Sequence, residues 1–307
     1  MNGRPTLYFL LLLALPVAAA AQQSSDTIVV RGTQIDPEEA RQRAEDFVAR
    51  TGVANGQQQV ARWAVPVCIK VIGLQRRHAA RVKQVMNGIA SEANIEVGGT
   101  KCDPNITVSF APDAGKVVRH IHARRPNQFR ELPPTAREKM LTGDAPVRWW
   151  YATGKADRDG VPANNLTAPW VTMAGTTNPL PTVDDVMTTQ QYNSGSNVRT
   201  PVIRALYGAT VVIDTVKAGE TPIDTMAAYA AMVAFAEMDA SDPPPRDSIL
   251  GLFQADTIES ALTDWDMAFL KSLYRMPLDR RSRIQRGHLV EALLDERLPD
   301  RKARNKP

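Results

Sequence analysis

The sequence predicts an α+β domain with a mixed β-sheet, a buried central helix and a helical C-terminal region. Three observations carry that prediction. "WAVPVCIKVIG", "QRRHAARVKQVMNGIASEAN" and "NITVSFAPD" read as strand, amphipathic helix and strand, with the apolar period switching from continuous to helical and back. "GATVVID" then runs through a short polar link into "MAAYAAMVAFAEMD", which is apolar on nearly every face, the signature of a helix enclosed by protein. Beyond it, "LTDWDMAFLKSLYR" and the basic stretch that follows are amphipathic at helical spacing.

The chain opens "MNGRPTLYFLLLLALPVAAAAQQSS". Arg4 supplies a positive start, Leu7–Leu15 an apolar run short for a bilayer span, and Ala19 to Ala21 a small-residue cleavage site before Gln22. Residues 1–21 therefore read as a Sec-type signal peptide cut near Ala21, which places the protein in the periplasm or outside the cell. "DTIVVRGT", next in line, is similar to the energy-coupling box of outer-membrane receptors, but the rest of the chain is too short and too helical for such a barrel. It is expected to be a flexible lead or an edge strand.

Residues 22–60 form a polar lead with one docking helix. In "DPEEARQRAEDFVARTG", Asp36 is placed to cap, Pro37 to open the first turn, and Glu39 to complete a capping box. Ala40, Ala44, Phe47 and Val48 share one face, and Gly52 closes the helix. Residues 61–275 then make the α+β domain and 276–307 a basic helix with a tail. In the first strand–helix–strand unit, Ala79, Val82, Val85, Met86 and Ile89 form the helix's apolar side. Parallel strands joined by such a helix require a right-handed crossover.

Cys68 and Cys102 are the two cysteines. In an exported chain a pair is expected to be a disulfide, with two buried thiols as the other reading. The middle, 126–200, is rich in Pro, Thr, Asn and Gly, with "PVRWWYATG" as an island. Trp149, Trp150 and Tyr151 there read either as core on a β-prone segment or as a binding surface. Toward the end, Thr221, Pro222 and Asp224 are placed to open the buried helix, predicted over 222–238, and Thr263 with Asp266 to cap the next one.

Composition narrows the function. Of 307 residues 43% are hydrophobic, enough for a full core, and the formal charge is only +4. From Arg275 onward, ten Lys and Arg stand against five acids, a face that is solvated or that touches an anionic envelope polymer weakly. Aromatic interleaving for nucleic acid is absent, as are a P-loop and a dinucleotide fingerprint, so no cofactor and no nucleic-acid partner are expected. His120 and His122 in "RHIHARR" would share a face on a strand but diverge on the helix this segment predicts. Ser194 and Ser196 in "NSGSN" lack a nucleophile elbow, and Asp239, Asp242 and Asp247 lack calcium-loop spacing.

The order "GATVVID", buried helix, "DSILGLF", "LTDWDMAFLKSLYR" resembles an uncharacterised family of exported bacterial proteins that look like remote zinc metallopeptidases of the metzincin kind. The resemblance covers about the last third of the chain and implies a metzincin-like fold with a zinc-bearing helix after the strand. Zinc hydrolysis needs two His four residues apart and a Glu beside the first. Tyr229, Ala230 and Val233 stand in those places, and all four histidines, His78, His120, His122 and His288, lie elsewhere. The expectation is a degenerate, non-catalytic, metallopeptidase-like binding or structural protein of the envelope, with a partner that is an envelope protein or polymer. The alternative is a hydrolase with another site, at His120 and His122 or at Ser194 and Ser196.

Overall fold

The computed structural model describes residues 36–54, 58–157, 200, 202–239, 243–254 and 261–298. The predicted signal peptide, the "DTIVVRGT" segment, Ser194, Ser196 and Asp242 lie outside them. The strands are β1 (Ala61–Trp63), β2 (Ile69–Ile72), β3 (Ile106–Ala111), β4 (Val147–Ala156) and β5 (Ile203–Asp214). The helices are α1 (Pro37–Thr51), α2 (Arg76–Glu92), α3 (Ala114–Arg124), α4 (Pro134–Thr142), α5 (Ile223–Phe235), α6 (Asp264–Arg275) and α7 (Ser282–Arg297).

β5 organises the sheet. β4 runs antiparallel along one of its edges from Ile203 to Ile213. The other edge is shared: β1 pairs in parallel with Arg204 to Leu206, and β3 in parallel with Ala209 to Asp214. β2 extends the sheet beyond β3, again in parallel. The fold is thus mixed α/β with a largely parallel sheet and one antiparallel strand. "WAVPVCIKVIG" holds two strands rather than one, because Pro66 separates β1 from β2 and each has a different neighbour. "IEVGG" contributes only the bridge between Val97 and Val67.

Alternation along β4 sets the two faces of the sheet. Trp150, with Val212 of β5, points to α3, and Ala114 and Val118 there close a core with Phe129 of the 3-10 turn that follows. Trp149 points the other way and meets the ring of Tyr229 on α5. α5 is buried at Thr225 and at every position from Ala227 to Phe235, as its all-round apolar sequence requires. It ends at Phe235, three residues short of the predicted end, where Ala236 turns extended. Its opening also differs: the cap position is Pro222, Thr221 donates back to the Ala218 carbonyl at 2.5 Å, and Asp224 pairs with Arg81 of α2 at 2.6 Å. A cross-helix charge pair has taken the acid expected in the capping box.

α6 begins as predicted. Thr263 accepts from the Asp266 N–H at 3.0 Å and the Asp266 carboxylate accepts from the Thr263 N–H at 3.0 Å. The same carboxylate, fully buried, also accepts from Ser248 at 2.5 Å and from the Ile249 N–H at 2.8 Å, which locks the 3-10 turn Ile249–Gly251 onto the helix. α1 packs here rather than standing apart. Phe47 stacks on Trp265 and tilts against Phe269, contacts worth roughly 0.5–1.5 kcal/mol each beyond area burial. Arg41 of α1 reaches Glu291 of α7 at 2.8 Å, so the docking helix and the basic C-terminal helix join α6 in one layer.

Cys68 and Cys102 are bridged, with Cα atoms 5.9 Å apart, tying β2 to the approach to β3. Among the described residues no helix is long and apolar enough to cross a membrane.

Candidate functional site

Three places combine polar groups with access or with an unusual surround. The first is the α5 face beneath β4. Tyr229 lies between Trp149, at 6.3 Å, and Phe253, at 5.4 Å between centroids. Ala230 and Val233 are fully buried. Burial pushes the Tyr229 phenol far above its ordinary value. The Tyr151 hydroxyl donates to the Val233 carbonyl at 2.6 Å and accepts from the Met238 N–H at 3.0 Å. The Trp149 indole donates to the Met238 carbonyl at 3.0 Å. These residues do not fit a zinc ion, because aromatic rings and methyl groups fill the space that imidazoles would need. Of the three rings, Trp150 is core, while Trp149 and Tyr151 are half-buried and spend their polar ends on the exit of α5.

The second place lies just past that exit. Arg204 of β5 binds Glu237 through both ends of its guanidinium, at 2.7 Å for Nη2, and the same nitrogen reaches Thr153 at 2.9 Å. Glu131 also joins Thr153 and lies 4.0 Å from Arg204. Burial raises the Glu237 carboxyl above its usual range against the pull of Arg204, and Glu131 and Asp239 push it the same way. Asp239 is raised by burial as well. The arrangement is an ion pair with surplus acid, a tie between β4, β5 and α5.

The third place is a cleft of about 450 Å³ beside β1. Arg62, Trp63, Ala64, Val65, Ile203 and Leu278 are among the residues that line it. Arg62 is half-buried, and its Nη1 caps α6 by donating to the Leu273 carbonyl at 2.6 Å and the Met276 carbonyl at 3.1 Å. The guanidinium lies 5.6 Å over the Tyr274 ring. Burial lowers its pKa, offset in part by Tyr274. The Tyr274 hydroxyl in turn donates to the Phe235 carbonyl at 2.6 Å. The back wall of the cleft is thereby fixed to the exits of both α5 and α6.

The histidines do not converge. His120 is exposed on α3 and His122 turns its ring against Phe129 at 5.3 Å, as helical spacing two apart requires. Among the described residues no three His, Cys, Asp or Glu are grouped to hold a metal ion. Asp247 is taken by Arg43 and lends its carbonyl to Thr263 at 2.6 Å. The cleft was not anticipated from the sequence. Its one signal was a charged residue, Arg62, interrupting the apolar string "VARWAVPV". Protein-family models, curated proteins and solved structures were all compared with the chain, and none of them matches it.

Proposed function

We propose that this is an exported protein of the bacterial envelope that binds or supports another component and does not hydrolyse it. On this reading the chain is a metzincin-like relative without the zinc chemistry. The plan supports the reading: β2–α2–β3 is followed by the antiparallel β4, then by β5 feeding the buried helix α5. Ser248, the 3-10 turn and the capped α6 follow in the order of the resembling family. The observation that carries the loss of catalysis is the packing of Tyr229, Ala230 and Val233, where the peptidase would hold its ion. The disulfide favours an oxidising compartment, in keeping with the signal-like N-terminus. A partner that is an envelope protein or anionic polymer would meet the outer side of α7, where Arg283 and Arg286 are exposed.

The test has two parts. Metal analysis by mass spectrometry of the purified protein, with melting curves in the presence and absence of chelator, is expected to give no stoichiometric zinc and no shift. One equivalent of zinc with a chelator-dependent melt would overturn the non-catalytic reading. Mass spectrometry of the protein recovered from a periplasmic fraction is expected to find an N-terminus near Gln22. Recovery only from the cytoplasm with the first residues intact would overturn export.

A further inference from the structure

The cleft beside β1 carries an inference independent of α5 and its missing zinc ligands. Arg62 uses one guanidinium nitrogen, Nη1, on the end of α6. Among the described residues no carboxylate pairs with it, and none of its remaining donors has an acceptor. Those donors are not sealed in the protein, since Arg62 is not among the residues with orphaned buried nitrogens. One part of the wall is hydrocarbon, from Ala64, Val65, Ile203 and Leu278, and the other is polar, with Asn94, Glu96 and Asp279. A cation that is partly desolvated, held in place by a helix end and a tyrosine ring, and not ion-paired with an acid of the cleft keeps donors aimed at an anion. A cap alone would need only the donors already spent.

We propose that this cleft binds a small carboxylate with an apolar body, its carboxylate on the free donors of Arg62 and its hydrocarbon against Ala64, Val65, Ile203 and Leu278. The volume, about 450 Å³, suits a molecule of that size. Glu96 and Asp279 also line the cleft, Asp279 beside Arg280 at 3.4 Å, and neither forms an ion pair with Arg62. Asp279 is already held by Arg280, so Glu96 is the acid on that wall that opposes added negative charge, and the free donors of one guanidinium suit a monoanion rather than a dicarboxylate or a phosphate. Two sources share this chemistry: a free aliphatic acid, and the C-terminal end of a peptide finishing in an apolar residue.

Calorimetric titration of the full mature chain distinguishes them, with octanoate and N-acetyl-leucine as probes and octanol and N-acetyl-leucinamide as neutral controls. Saturable binding of at least one carboxylate, about tenfold or more tighter than its neutral counterpart, is expected. The probe that binds assigns the source. In Arg62→Gln, which keeps a donor for the α6 end but no charge, the preference for the carboxylate should vanish. Should that variant fold poorly, Ala64→Phe fills the cleft without touching the cap, and it should abolish binding while circular dichroism shows the fold retained. Equal binding of charged and neutral probes, no binding of either carboxylate, or binding that survives Ala64→Phe would each overturn the proposal.

Discussion

The Tyr151 hydroxyl sits between the Val233 carbonyl, to which it donates at 2.6 Å, and the Met238 N–H, from which it accepts at 3.0 Å. One oxygen thus joins strand β4 to the point where α5 ends and the chain turns extended. Both backbone groups belong to a buried stretch, so neither finds water when the oxygen is gone. Tyr151→Phe should therefore cost about 1–3 kcal/mol, the desolvation cost of a polar group left unmade. Urea denaturation followed by circular dichroism checks it. A loss below about 0.5 kcal/mol, within the range of ordinary surface substitutions, would show that Trp149 alone holds the joint.

Asp214 closes β5 and is buried, at 2% exposure. Its carboxylate accepts from the Ala114 N–H at 3.0 Å, starting α3, and from the N–H groups of Val216 and Lys217 at 3.1 and 3.0 Å. Burial by itself would raise its pKa, but these three N–H groups and the Lys217 charge outweigh it and hold the carboxyl below its ordinary value. A group depressed in the folded state contributes stability above its unfolded pKa, near 3.9, and loses it as pH falls through the lower folded value. Asp214→Asn should cost about 2 kcal/mol at neutral pH, because an amide cannot accept all three bonds. It should also flatten the acid limb of the stability profile below about pH 4. An unchanged acid limb would assign that limb to other carboxylates.

The strand–helix–strand unit, the buried helix and the capped α6 were legible because each rests on local spacing: two periods, an all-round apolar run and a Thr-x-x-Asp box. What lay beyond the sequence was partner choice. A continuous apolar run such as "WAVPVCIKVIG" says that the segment is buried, not that Ala61 to Trp63 pair with β5 while Ile69 to Ile72 pair with β3. Asp224 fits a capping box by spacing, yet Arg81, far away in the chain, draws it across to α2. The cleft was hidden for the same reason. Arg62 meets the end of α6 across 211 residues of sequence, and no local pattern encodes such a meeting.

The disulfide between Cys68 and Cys102 closes a loop with a sequence separation of 34. On the chain-entropy account its removal frees the unfolded chain by roughly 4 kcal/mol. The paired substitution Cys68→Ser with Cys102→Ser should lower stability by up to that amount, read from urea midpoints at an unchanged fold by circular dichroism. Gly98 supplies a second test of the same staple. A Cβ there would stand 2.8 Å from Cys102 Cβ and 3.0 Å from its Sγ. Gly98→Ala should therefore destabilise the oxidised protein more than the reduced one. Equal losses in both states would place the strain in the Val67–Val97 bridge instead.

Glu237 pits two effects against each other. Its bond with Arg204 favours the charged carboxylate, while burial, Glu131 and Asp239 favour the neutral acid, and the balance raises its pKa. The sign follows from linkage: a carboxyl raised in the folded state costs stability once ionised, so stability falls as pH rises from its unfolded value, near 4.3, through the higher folded one. The protein should gain stability as pH falls from neutrality toward that unfolded value, and Glu237→Gln should lose that gain apart from the share of Asp239. At pH 7 the variant should lie within about 1 kcal/mol of the parent, because the glutamine still accepts from Arg204 and no longer faces two acids. A loss of about 3–5 kcal/mol would be the mark of a buried pair broken on one side. Arg204 would then be the group that needs Glu237, and the rise on acidification would have to come from Asp239 and Asp266, whose carboxyls burial raises as well.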